Sequence, residues 1–174
     1  MNRNHTAVAL ALFAATFAAH AQSGGPNDAQ IAAIVVTANQ VDIDAGRLAE
    51  SRAGNKDVKA FGKMMVTDHT GVNKSATDLV TRLHVKPEDN PTAESLKKGG
   101  RENLAHLRTL TGPAFDKAYI AHEVAYHQEV IEAMDKTLIP SAQNAELKAL
   151  LVKVRPAFVA HLEHAKDVQA ELGK

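Results

Sequence analysis

The stretch NKDVKAFGKMMVTDHTGVNKSATDLVTRL, residues 55–83, decides the fold. Within it Val58, Phe61, Met65, His69, Val72, Ala76, Leu79 and Leu83 recur at intervals of three and four. That spacing places them on one face of an α-helix and leaves the intervening charged and hydroxyl residues for the other face. Asn55 is a natural N-cap, because its short side chain can accept from the free N–H groups of a first turn. His69 is the anomaly: it occupies a position otherwise kept for apolar residues. A buried imidazole needs a partner, and imidazole is the side chain most used to hold metals.

Four more helical segments flank this one. Asp28 to Ala53 carries Ile31, Ile34 or Val35, Ala38, Val41, Ala45 and Leu48 on one face and stops at Gly54-Asn55. The helix opened by Asn55 ends before Pro87, and Pro87-Glu88-Asp89-Asn90-Pro91 reads as a linker. Thr92 then caps a shorter helix holding Leu96, Leu104, Leu107 and Leu110, in which Gly99-Gly100 marks a weak point or a site of close packing, and Thr111-Gly112-Pro113 breaks the chain. From about Pro113 to Leu138, Ile120, Val124, His127, Ile131, Met134 and Leu138 form a fourth face. After Ile139-Pro140-Ser141, Leu147, Leu151, Val154, Phe158, His161, Ala165 and Val168 form a fifth, interrupted by Pro156, which predicts either a kink or the start of a new helical piece. The starts at Asn55 and Asn144 echo one another, Asn-Lys-Asp-Val-Lys-Ala against Asn-Ala-Glu-Leu-Lys-Ala. No segment alternates as a strand would. The expected fold is all-α: a ferritin-like four-helix bundle of two hairpins, joined by one long crossover that carries a short extra helix.

The ends and the composition bound the function. Arg3 and His5 precede the apolar run Ala7–Ala19, which closes on Ala19-His20-Ala21; the run is too short to span a bilayer and has the form of an export signal with an A-x-A cleavage site. The expected organisation is a cleaved secretory signal peptide at 1–21, a flexible segment at 22–27 and a single bundle domain at 28–174. The mature chain would be exported, to the periplasm, with association with the outer membrane as a variant of that reading, and it has no further segment apolar enough to cross a membrane. Hydrophobic residues make up 45% of the chain and aromatic ones 4%, which suits a core of aliphatic side chains. With no cysteine, disulfides, thiolate metal sites and thiol nucleophiles are all excluded. Lys and Arg total 20 against 20 Asp and Glu, so no basic stripe suggests nucleic acid as a partner.

In order along the chain, Val58-Lys59-Ala60-Phe61 leading to Met65-Val66-Thr67-Asp68-His69, Leu110-Thr111-Gly112 with Phe115-Asp116 and Tyr119, His127, and Pro156 with His161-Leu162 and Ala165 resemble the bacterial family catalogued as domain of unknown function 4142. The resemblance covers nearly the whole mature chain. It implies an exported protein with a ferritin-like helical bundle and implies no established activity.

His69, His127 and His161 each sit on the apolar seam of a different long helix. His69 and His127 lie equally deep in helices expected to run parallel, with Asp42, Asp68 and Glu123 close in height. Mirrored about a turn near Pro140 and Ser141, His161 faces Ile120 and stands about a turn and a half from His127. The candidate metal ligands are therefore His69, His127, His161, Asp42, Asp68 and Glu123, with His161 the outlying member. His84, His106, His122 and His164 are expected at solvent or at helix edges, Met64 and Met65 as core filling, and Tyr119 and Tyr126 as packing residues with a polar tip.

Three functional readings follow. The first is a non-catalytic bundle binding a divalent transition metal or another small ligand at a His/carboxylate layer. The second is a structural or protein-interaction bundle of the cell envelope, a homodimer included, whose histidines serve packing and register. The third is a ferritin-type metal oxidase, which the absence of any Glu-x-x-His motif disfavours. No Gly-x-Ser-x-Gly and no phosphate-cradling glycine loop supports a hydrolase or a nucleotide enzyme.

Overall fold

A computed structural model describes residues 24–174. The expected export signal at 1–21, and the first two residues of the 22–27 segment, lie outside the described residues. The described residues form a helical bundle of five helices with no strand: α1 Asp28–Arg52, α2 Lys56–Arg82, α3 Pro91–Arg108, α4 Gly112–Ala133 and α5 Ala145–Leu172. α4 runs on through a π-helical turn, Met134–Leu138, and a short α-helical turn, Ile139–Ser141. No helix among the described residues is long and apolar enough to cross a membrane.

Asparagine opens four of the five helices, its side chain satisfying N–H groups that no helical carbonyl can reach. Asn27 forms a reciprocal capping box with Gln30, Asn55 accepts from the N–H groups of Asp57 and Val58, and Asn144 accepts from those of Glu146 and Leu147. α3 corrects the expected boundary: Asn90, not Thr92, is the cap, accepting from Ala93 N–H at 3.0 Å. Pro91 therefore belongs to the helix rather than to the linker. It takes the first helical position, where its missing N–H is one that would be unsatisfied anyway. α5 is continuous through Pro156, so no new helical piece begins there. Val152, whose carbonyl the proline leaves without its usual donor, is on the exposed side of the helix, 53% exposed.

α1 packs along α2 and α4 along α5; the two hairpins meet through α2 against α5 and α1 against α4, and α3 lies on α1. Small residues set the closest approaches. A Cβ on Gly62 would stand 2.8 Å from both Ala49 Cβ and Gly46 O, and one on Gly100 would stand 2.8 Å from Val41 Cγ2. Gly100 thus marks close packing of α3 on α1, whereas Gly99 faces open space.

The echo between Asn55 and Asn144 extends into three dimensions. Asp116, near the start of α4, accepts from Gly54 N–H and Asn55 N–H at 3.1 and 2.9 Å, fastening the α1–α2 turn. Asp28, at the start of α1, accepts from Gln143 N–H and Asn144 N–H, each at 2.9 Å, fastening the α4–α5 turn. Each hairpin is tied at its turn by a carboxylate from the other.

The core is divided. One apolar cluster gathers Ile31, Ile34, Leu79, Val130, Leu147, Leu151 and Phe158 among others; a second gathers Ala49, Phe61, Met65, Phe115, Tyr119, Ile120 and Ala165. On each long helix the residues between these two sets are polar and buried: Asn39 and Asp42 on α1, His69 on α2, Glu123 and His127 on α4, and His161 on α5. The bundle therefore holds a polar layer between two apolar halves.

Candidate metal centre

The helix periodicity that aims apolar residues inward also aims the three histidines inward, and at the level of the layer they meet. Ring centroids of His69, His127 and His161 form a nearly equilateral triangle with sides of 5.3, 5.5 and 5.7 Å. One ring nitrogen from each lies within 4.8 Å of one from each of the others. His69 and His127 are wholly buried and His161 is 5% exposed. Phe158 closes the apolar side, its ring centroid 5.1 Å from that of His69 and 6.1 Å from that of His127.

Each ring is oriented by one hydrogen bond, and each bond fixes a tautomer. His69 Nδ1 lies 2.7 Å from Asn39 Oδ1, and Asn39 Nδ2 donates to Val35 O at 2.8 Å, so the amide oxygen faces the ring and Nδ1 must carry the proton. His127 Nδ1 donates to the backbone carbonyl of Glu123 at 3.0 Å, and His161 Nε2 donates to Asp68 Oδ2 at 3.0 Å. Lone pairs are left on His69 Nε2, His127 Nε2 and His161 Nδ1. All three of these atoms are buried and lack a hydrogen-bond partner among the described residues. One nitrogen anchored to an acceptor with the other left bare is the arrangement that metal-ligating histidines show.

Burial and mutual repulsion keep the rings neutral. His69 is pushed down to about 2, by burial first and then by His127 and His161. His127 is pushed down to about 4, by burial and by His161. His161 is lowered by burial, an effect that Asp68 opposes. Their lone pairs are therefore not taken by protons near neutrality.

Two carboxyls complete the layer. Asp42 is 2% exposed and Glu123 is fully buried. A carboxylate oxygen of each and a ring nitrogen of His127 lie within 4.8 Å of one another. Burial pushes Glu123 up to about 8, and burial with the Glu123 charge raises Asp42 well above the usual carboxylate range. Tyr119 is raised too, by burial and then by the same two carboxyls.

The expected proximity of His69, His127, Asp42 and Glu123 is present, whereas the position expected for His161 is corrected. His161 stands beside both other rings because the α4–α5 turn comes later than Pro140-Ser141: the chain stays helical through Ser141. Moving the mirror point to Ala142–Gln143 brings His161 level with about Val124 instead of Ile120, and the π turn alters the register of α4 further. Asp68 does not enter the layer; its side chain is 45% exposed, and it serves as the acceptor behind His161. His122, expected at solvent or at a helix edge, is half-buried, stacked on Tyr126 with ring centroids 5.5 Å apart, and pushed down to about 4 by burial. His84, His106 and His164 are exposed.

Asn39, Tyr119 and Phe158 were not foreseen as members of the site. Signals for two of them lie in the spacing: Asn39 precedes Asp42 by three residues on an otherwise apolar face, and Tyr119 precedes Glu123 by four. No curated protein and no solved structure matches the chain. Over residues 13–168 the chain matches the family described as Domain of unknown function (DUF4142), and it belongs to that family.

Proposed function

We propose that this chain is an exported, ferritin-like bundle that binds a divalent first-row transition metal through His69 Nε2, His127 Nε2 and His161 Nδ1. The observation that carries the reading is that ring nitrogens of three buried histidines lie within 4.8 Å of one another, while each ring, tethered from behind by an acceptor, keeps one buried nitrogen without a partner. A buried nitrogen without a partner costs about 1–3 kcal/mol, and although His122 Nε2 is another such atom, it lies outside the triangle. Three such nitrogens in one place are offset together by a single cation. Ligand nitrogens around a tetrahedral ion stand about 3.3 Å apart, given bonds near 2.0–2.1 Å, so a modest contraction of the triangle suffices. Three protein ligands leave a coordination position over; the bundle is read as a binding protein because no Glu-x-x-His pair is present to build a ferritin-type di-iron site. The pairing of α1 with α2 and of α4 with α5, with α3 in the connection between them, supports the ferritin-like connectivity. The apolar run before Ala19-His20-Ala21 supports export, to the periplasm.

Chelator-stripped protein lacking residues 1–21 is titrated with Zn(II), Cu(II), Ni(II) and Fe(II), beside a His69→Gln/His161→Gln variant. Binding tighter than about 1 µM that the variant loses is expected. Absence of such binding, or binding unchanged in a folded variant, eliminates the proposal.

A further inference from the structure

We propose that the layer holds a second cation beside the first, in the cup formed by Asp42 and Glu123, with His127 as the residue common to both sites. This rests on the three-histidine reading and adds a site to it. Carboxylate oxygens of Asp42 and Glu123 and a nitrogen of His127 stand within 4.8 Å of one another. Asp42 Oδ1 and both Glu123 oxygens are buried with no hydrogen-bond partner among the described residues, as is the Tyr119 hydroxyl. No lysine or arginine is among the buried polar residues of the described core, so the two facing acids are neutralised by protons unless a cation takes the protons' place.

The carboxyls are not needed to orient the rings. His69 Nδ1 already bonds Asn39 at 2.7 Å, with Asp42 Oδ2 farther off at 3.5 Å. His127 Nδ1 already bonds the Glu123 carbonyl at 3.0 Å, with Glu123 Oε2 at 3.5 Å. Relieved of that task, the two acids are oxygen donors, and with the imidazole they suit a divalent ion such as Zn(II) or Mn(II). His127 Nδ1 lies 3.5 Å from Glu123 Oε2, on the carboxylate side, and the ring keeps its unpartnered Nε2 for the histidine triangle. Coordination by Nδ1 replaces its proton with the cation, one proton leaving to solvent, and makes the ring an imidazolate bridge. The two ions would then stand about 6 Å apart, from two bonds near 2.0 Å and the span of the ring.

Counting metal per chain tests this. Stripped protein is incubated with Zn(II), freed of excess by gel filtration and analysed by atomic emission, for wild type, Asp42→Asn/Glu123→Gln and His69→Gln/His161→Gln, with helical circular dichroism as the check on folding. Two equivalents in wild type, falling to one in the carboxylate variant, are expected. One equivalent that only the histidine variant loses overturns the second site and leaves the first. Two equivalents retained in the carboxylate variant place the second ion elsewhere and overturn the inference. One equivalent lost only with the carboxylates removes the three-histidine reading and the paired centre with it, and none in wild type removes both. Should the carboxylate variant fail to fold, wild type loaded with two Cu(II) decides by electron paramagnetic resonance. A bridged pair gives a signal well below that of two independent coppers; full intensity refutes the bridge.

Discussion

Glu123→Gln in metal-free protein isolates the electrostatics of the buried layer. Gln keeps the shape of the side chain and cannot ionise. Glu123 is fully buried and its carboxyl is pushed up to about 8 from an ordinary value of 4.5, chiefly by burial. Between those two pH values the folded wild type keeps a proton that the unfolded chain has released. Folding is therefore linked to proton uptake: this contribution to stability is whole below pH 4.5 and is lost as pH rises toward about 8. At 1.36 kcal/mol per unit the full loss is about 5 kcal/mol, an upper figure, because Asp42 titrates with Glu123 and the two share the effect. For a chain of this size about 2–4 °C accompanies each kcal/mol, so a loss of half that magnitude moves Tm by roughly 5–10 °C. Thermal melts followed at 222 nm, with chelator present, at pH 5 and pH 9, compare the two proteins. The variant should gain on wild type by several degrees between the lower and the higher pH. A difference in Tm that is the same at both pH values would refute the assignment of a buried, proton-holding Glu123.

The histidines act in the opposite direction. His127 and His122 are pushed down to about 4 and His69 to about 2, so the unfolded chain takes up protons near 6.5 that the folded chain refuses. Stability from these rings is present above pH 6.5 and lost as pH falls toward 4; metal-free protein should unfold cooperatively in that window, and urea midpoints unchanged from pH 7 to pH 4.5 would contradict it. Under the metal proposal, Zn(II) at a hundred times its Kd should stabilise the wild type by about 2.7 kcal/mol, or roughly 8 °C in Tm, and leave His69→Gln/His161→Gln unmoved, as differential scanning calorimetry would register. Asp116→Ala should cost about 2 kcal/mol or more by urea denaturation, since it strips the acceptor from two backbone N–H groups at the α1–α2 turn. A loss below about 0.5 kcal/mol there would mean that water replaces the carboxylate without penalty.

Helix by helix, most of the bundle can be read from spacing and caps. Asn55 and Asn144 announce their helices because capping is a contact within three residues, and the apolar faces of α1, α2, α4 and α5 announce their inward sides because helical periodicity is local. Pro91 was harder: a proline beside Asp and Asn reads equally as a linker and as the first residue of a helix, and only the bond from Ala93 N–H to Asn90 decides. Pro156 was ambiguous for a related reason, its effect depending on whether Val152 faces solvent. Within the layer, His69, His127 and Glu123 could be matched in height because α2 and α4 each start at a recognisable cap or break. His161 could not, because its height depends on where the α4–α5 turn falls and on a π turn that no residue pattern marks.

By itself, then, the amino-acid sequence determined an all-α chain, the boundaries of most helices, the absence of any thiolate site, and the seam positions of three histidines. These follow from interactions between residues three or four apart, which a linear chain displays directly. Only the tertiary structure decided that His161 joins the other two, that Asp68 stands behind it rather than inside the layer, and that Asn39 anchors His69. It also decided which nitrogen of each ring is left bare. Those outcomes depend on how helices from distant parts of the chain slide past one another. A shift of one residue along a helix moves a side chain by about 1.5 Å in height and about 100° in direction, enough to turn a ligand into a surface residue.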